Sequence, residues 1–151
     1  MRVLNAVEEV NESQKNVLFE KFKKYFKNKI EGKKVAIWGL AFKPETDDMR
    51  EAPSLVLIDS LLKSGCSVAV YDPVAMNECK RRIGDKVEYA SNMYDAVIDA
   101  DVIFLVTEWK EFRMPSWKVI KRSMKPEAVI IDGRNIYTAS DLEGIGYIKI
   151  G

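Results

Sequence analysis

The spacing of apolar residues changes character at about Lys34. Before it, Val10, Val17, Leu18, Phe22, Tyr25 and Phe26 recur at helical intervals, with lysines and glutamates between them. That period predicts one amphipathic helix from about Asn11 to Asn28, with Asn11 and Gln14 placed as a capping box. After it, short continuous apolar runs alternate with helical segments. Strands are predicted at Val35–Leu40, Val68–Tyr71, Val87–Tyr89 (short and weak), Val102–Val106, Val129–Asp132 and Gly146–Ile150. Helices are predicted at Ala52–Ser64, Val74–Ile83, Met93–Ala100 and Trp117–Met124. The first of these has Pro53 in its opening turn, Glu51 at its positive end and Gly65 as its stop. Gly84 ends the second.

Strand runs apolar throughout, separated by helices, imply a parallel sheet buried on both faces. With right-handed crossovers the fold class is α/β: a Rossmann-like doubly wound sheet, helices on both faces, preceded by one amphipathic helix. The favoured strand order is 3-2-1-4-5-6, with a flavodoxin-like order next. The division is residues 1–31 for the helix and 32–151 for the α/β body, with Lys27–Lys33 as the candidate linker.

Composition adds mainly exclusions. A length of 151 residues and a formal net charge of +1 give no argument for a nucleic-acid or membrane surface. No apolar run approaches a membrane span, and the amino terminus lacks a secretory layout, so a cytoplasmic protein is expected. Two unclustered thiols, Cys66 and Cys79, fit a reducing compartment and read as small core fillers. The chain has no histidine. A Ser-His or Cys-His pair and an imidazole-based zinc site are therefore excluded, and neither a catalytic residue nor a metal ligand is assigned.

Candidate chemistry gathers at strand ends. In the favoured order, ligands bind beyond the carboxyl ends at the switch point between strands 1 and 4. Gly39–Arg50 follows strand 1, Thr107-Glu108-Trp109-Lys110 follows strand 4, and Asp132-Gly133-Arg134-Asn135 follows strand 5. Lys43, Arg50, Lys110 and Arg134 are thus directed to one edge, which suits a phosphate ester. Strand 1 runs into Gly39, but no second or third glycine follows at the spacing a dinucleotide pyrophosphate needs. A nucleotide held by side chains, Lys43 above all, is expected instead. Plainer roles weigh against single residues. Gly39 reads equally as a tight turn, Asp47-Asp48 as caps for the next helix, Asp72 as a cap ahead of a ribose ligand, and Trp109 and Phe112 as lid or core aromatics.

Five stretches occur in order: Gly39-Leu40-Ala41-Phe42-Lys43-Pro44, Thr46 through Ser54, Tyr71-Asp72-Pro73, Thr107-Glu108-Trp109 and Asp132-Gly133-Arg134-Asn135. Together they resemble the carboxyl-terminal UDP-binding domain of the UDP-glucose 6-dehydrogenases, in the UDP-glucose/GDP-mannose dehydrogenase family. Val10 through Lys15 resembles the end of the long central helix that precedes this domain. The resemblance implies an oxidoreductase that takes a UDP-sugar to its uronate with NAD, in polysaccharide biosynthesis. It implies that Phe42, Lys43 and Arg134 contact the UDP-sugar, and that Arg50 reaches NAD bound on another domain. The family's GxGxxG domain and its glycine-flanked cysteine have no counterpart in these residues, so the chain alone is expected to be inactive. It reads as an excised domain, a truncated gene or half of a split enzyme, whose partners are the NAD-binding and central domains. The first helix leaves room for a homodimer, and a non-catalytic assembly or nucleotide-binding module is the competing reading. Another sugar specificity within the family is a further alternative.

Overall fold

A computed structural model of the chain describes residues 17–41 and 43–150. The capping box and the Val10–Lys15 stretch lie outside those residues. Helix α1 covers residues 17–25 of the described chain and closes in a turn at 26–28, where Lys27 and Asn28 take positive φ. The α/β body then runs β1 (Lys34–Trp38), α2 (Pro53–Lys63), β2 (Ser67–Tyr71), α3 (Met76–Ile83), β3 (Glu88–Tyr89), β4 (Val102–Leu105), α4 (Lys110–Arg113), α5 (Trp117–Ser123), β5 (Val129–Asp132) and β6 (Gly146–Lys149).

The strands form one sheet in the order β3-β2-β1-β4-β5-β6, every pair parallel. This is the doubly wound order the sequence favours. Side chains alternate across the sheet, and each face has its own core. Val35, Ile37, Val70, Phe104 and Ile131 pack beneath α1, α2 and α3. Trp38, Ile103, Leu105 and Ile130 pack with Phe112, Ile120 and Tyr137 on the other side. Because β1, β4 and β5 are buried on both faces, their sequences read as unbroken apolar runs.

Helix α1 belongs to the first of these cores. Leu18 and Phe22 are buried there, and the Phe22 ring meets Phe104 of β4 edge-on at 5.6 Å between centroids. The segment expected as a linker is tied down as well. Ile30 is buried, its carbonyl accepts from the Cys66 thiol, and the Gly32 N–H donates to the Gly65 carbonyl.

Two expected elements differ. Met93–Ala100 forms only a 3₁₀ turn, Asp95–Val97. Asn92 Oδ1 accepts from the Tyr94 and Asp95 N–H groups at its start, but Asp99 adopts φ 58° and its N–H goes to the Ser123 carbonyl, so the chain turns before a helix can extend. The cap expected from Asp47-Asp48 is also missing. The N-cap of α2 is Ala52, without a side-chain hydrogen bond, and Glu51 sits outside the first turn at φ 54°. Proline at the first helical position already removes one unpaired N–H there.

Both cysteines are buried and unpaired, as expected of core fillers. Burial pushes the Cys66 thiol up from 9.0 to about 11. Burial likewise raises Tyr89, Tyr137 and Tyr147 above the ordinary phenol range of 10.0. The folded chain keeps these protons while the unfolded chain sheds them. Above pH 9 the unfolded state therefore binds fewer protons, and stability declines as pH rises. Urea midpoints are expected to be flat from pH 7 to 8.5 and to fall steadily from pH 9 to 11. A flat profile across that upper window would contradict the burial of these groups.

Candidate functional site

Strand register brings five residues into one row at the carboxyl edge: Tyr71, Trp38, Leu105, Asp132 and Lys149. At about 4.8 Å per strand, the ends of β1 and β5 lie about 10 Å apart, with β4 between them. The three loops leaving Trp38, Leu105 and Asp132 are therefore neighbours over the switch point, and short backbone contacts join them.

The β1 loop is pressed against the β4 loop. Gly39 has φ +95°, and a Cβ built on it would stand 2.5 Å from both the N and the Cβ of Thr107. The Thr107 hydroxyl donates to the Ala41 carbonyl, and the Val106 N–H to the Trp38 carbonyl at 2.9 Å. The Ser54 hydroxyl at the start of α2 donates to the Leu40 carbonyl. Gly39 is thus more than a turn: its missing side chain is the space Thr107 occupies. The β5 loop approaches β4 in the same manner. Gly133 donates to the Leu105 carbonyl at 2.9 Å, and a Cβ there would fall 2.6 Å from that oxygen.

Two buried carboxylates hold these loops. Asp72, at the end of β2, accepts from the Leu40 N–H at 2.7 Å and from Val74 and Ala75 at 2.8 Å each. Asp72 thus holds the β1 loop and the turn ahead of α3, whose own N-cap, Ala75, has no side-chain hydrogen bond, and these contacts occupy the residue that a dinucleotide domain uses for its ribose. Asp132, at the end of β5, accepts from the N–H groups of Arg134, Ile136 and Tyr137 and from the Tyr147 hydroxyl. Sequence reading placed Asp132 in a motif without seeing this role. Its signal was an aspartate that ends an apolar strand and precedes glycine, a common start for a side-chain-stabilised turn.

The candidate ligand residues sit on this frame. Lys43 is exposed on the β1 loop, and Arg134 is exposed on the β5 turn. Phe42 lies outside the described residues. Arg50 is exposed and clamped by its neighbour: its Nε and Nη2 donate to the two oxygens of Asp48 at 3.0 and 2.9 Å. That guanidinium holds the Asp48 carboxyl down to about 2. Asp48 thus orients Arg50 instead of capping α2. Lys110 opens the short helix α4, which sequence reading missed. Phe112 is core, stacked on Trp38 at 5.2 Å, and Trp109 packs beside it, its indole N–H buried and unpartnered among the described residues.

The fit to NAD is poor. The sequence after β1 lacks the second and third glycines of a pyrophosphate cradle, the space at Gly39 is filled by Thr107, and both oxygens of Asp72 are committed. The arrangement defines a Rossmann-like nucleotide-site domain that is not a dinucleotide cradle. Residues 36–139 match the family model described as the UDP-glucose/GDP-mannose dehydrogenase family, UDP binding domain. The chain belongs to that family. It is 44% identical to UDP-glucose 6-dehydrogenase of Pseudomonas aeruginosa over 99% of its length, which is 34% of that protein. It is 37% identical to UDP-glucose 6-dehydrogenase AglM of Haloferax volcanii, covering 32% of it. Among solved structures, a UDP-glucose dehydrogenase from Pyrobaculum islandicum superposes with a TM-score of 0.80 at 26% identity, over 95% of this chain and 31% of that one. The chain thus spans about a third of the length of these relatives.

Proposed function

We propose that this domain binds the UDP moiety of UDP-glucose within an NAD-dependent UDP-glucose 6-dehydrogenase of the cytosol. The observation that carries the reading is the switch point itself. The β1, β4 and β5 loops meet there on Gly39 and Gly133, and the β1 and β5 loops carry exposed Lys43 and Arg134. Two cations carried by loops that leave the same sheet edge on either side of β4 suit an anionic phosphate ester such as a diphosphate. By the family resemblance, Phe42 would also contact the UDP-sugar. Hydride transfer would use an NAD site and a cysteine nucleophile on other domains, with Arg50 as this domain's contact to NAD. Glucose, as against an N-acetyl sugar, is favoured by the Glu108–Phe112 and Asp132–Asn135 stretches, which resemble the UDP-glucose members most.

Calorimetry on the 151-residue chain with UDP, UDP-glucose and NAD tests this. UDP and UDP-glucose are expected to bind, and NAD binding more tightly than UDP would overturn the assignment. Lys43→Ala and Arg134→Ala are each expected to weaken UDP about ten-fold, the scale of one charge-assisted contact. Both residues are exposed, so the melting temperature should hardly move. Arg50→Ala should leave UDP affinity unchanged.

A further inference from the structure

The turn that carries Arg134 is far more constrained than an exposed loop needs to be. The residue before it, Gly133, is bonded to the Leu105 carbonyl. Arg134's own N–H donates to Asp132 Oδ1 at 2.9 Å. After it, Asn135 holds φ 57° while its side-chain oxygen accepts from the Ile150 N–H at 3.1 Å, tying the turn to the end of β6. The centre of this lattice is Asp132, fully buried, whose Oδ2 accepts from Ile136 at 2.8 Å, Tyr137 at 3.0 Å and the Tyr147 hydroxyl at 2.7 Å. Tyr147 comes from β6, the strand beside β5, and its hydroxyl also lies 2.8 Å from the Tyr137 carbonyl.

A buried carboxylate that accepts four donors among the described residues is held in one orientation, and three of those four belong to the turn that follows it. Fixing the backbone on both sides of an arginine removes the ordering cost a flexible loop would pay when it meets a ligand. Among the described residues the Tyr147 hydroxyl is the donor that reaches the carboxylate from a different strand, so it fixes where the turn sits against the sheet. We propose that Asp132 and Tyr147 form a positioning pair for Arg134, setting the β5 turn so that its guanidinium meets the diphosphate already oriented. This rests on the reading above that Arg134 contacts UDP.

The test is a double-mutant cycle on UDP affinity in the intact chain. Tyr147→Phe removes one hydroxyl and keeps the ring against Tyr137. It is expected to weaken UDP about five-fold in the wild-type background and less than two-fold when Arg134 is already alanine. Asp132→Asn puts an amide on the same atoms and is expected to weaken UDP further, again only while Arg134 is present. If it unfolds the chain, the Tyr147→Phe cycle still decides. Equal losses in both backgrounds, or none in the wild type, overturn the positioning role while Arg134→Ala keeps its own effect. If Arg134→Ala leaves UDP affinity unchanged, the contact to UDP and this inference fall together.

Discussion

Gly39→Ala is expected to cost on the order of 3–5 kcal/mol and to lower the melting temperature by roughly 10 °C. Two effects add. The backbone at φ +95° is one that residues with a Cβ rarely adopt. The new methyl would also overlap the N, Cα and Cβ of Thr107, at 2.5 to 2.8 Å. Trimming Thr107 cannot relieve this, because two of those atoms are backbone. Gly32→Ala isolates the first effect: its φ is +81° but no atom lies within 4 Å of the added carbon. That control should lose about 1–2 kcal/mol. UDP affinity should fall in Gly39→Ala and hold in Gly32→Ala, since only the former parts the β1 and β4 loops. Equal melting temperatures for the two variants would show that the two loops do not meet as described.

What the sequence made legible follows from how local each signal is. β1, β4 and β5 announce themselves because burial on both faces leaves no polar position inside them. The strand order then follows from handedness and from the helices between strands. The loops at the switch point could be located because they immediately follow those strands. Other features depend on contacts that sequence spacing does not encode. The role of Asp132 includes Tyr147, fifteen positions away and on another strand. Gly39 read as a turn because Thr107, which needs its space, lies in a different loop. α4 is a single turn, too short to show a helical period. Asp48 seemed placed to cap α2, yet an arginine two residues on competes for both its oxygens.

Helix α1 raises the sharper question, since an apolar helix at the edge of a domain can serve another surface or its own core. Phe22 answers for its own core: it is fully buried, with Phe26 and Phe104 edge-on at 5.4 and 5.6 Å. Phe22→Ala removes that ring and leaves a cavity between α1 and β4, at a cost of about 3–5 kcal/mol. Tyr25→Ala, at a residue 41% exposed, should cost far less. The helix also touches the site. A Cβ at Gly133 would lie 3.3 Å from Leu18, so α1 borders the turn that carries Arg134. Loosening α1 should therefore weaken UDP as well as stability, and the unfolding of Phe22→Ala should remain one cooperative transition monitored by tryptophan fluorescence and circular dichroism alike. A variant that melts at the wild-type temperature, or loses helix signal in a separate earlier step, would mean that α1 is an appendage free to dock elsewhere.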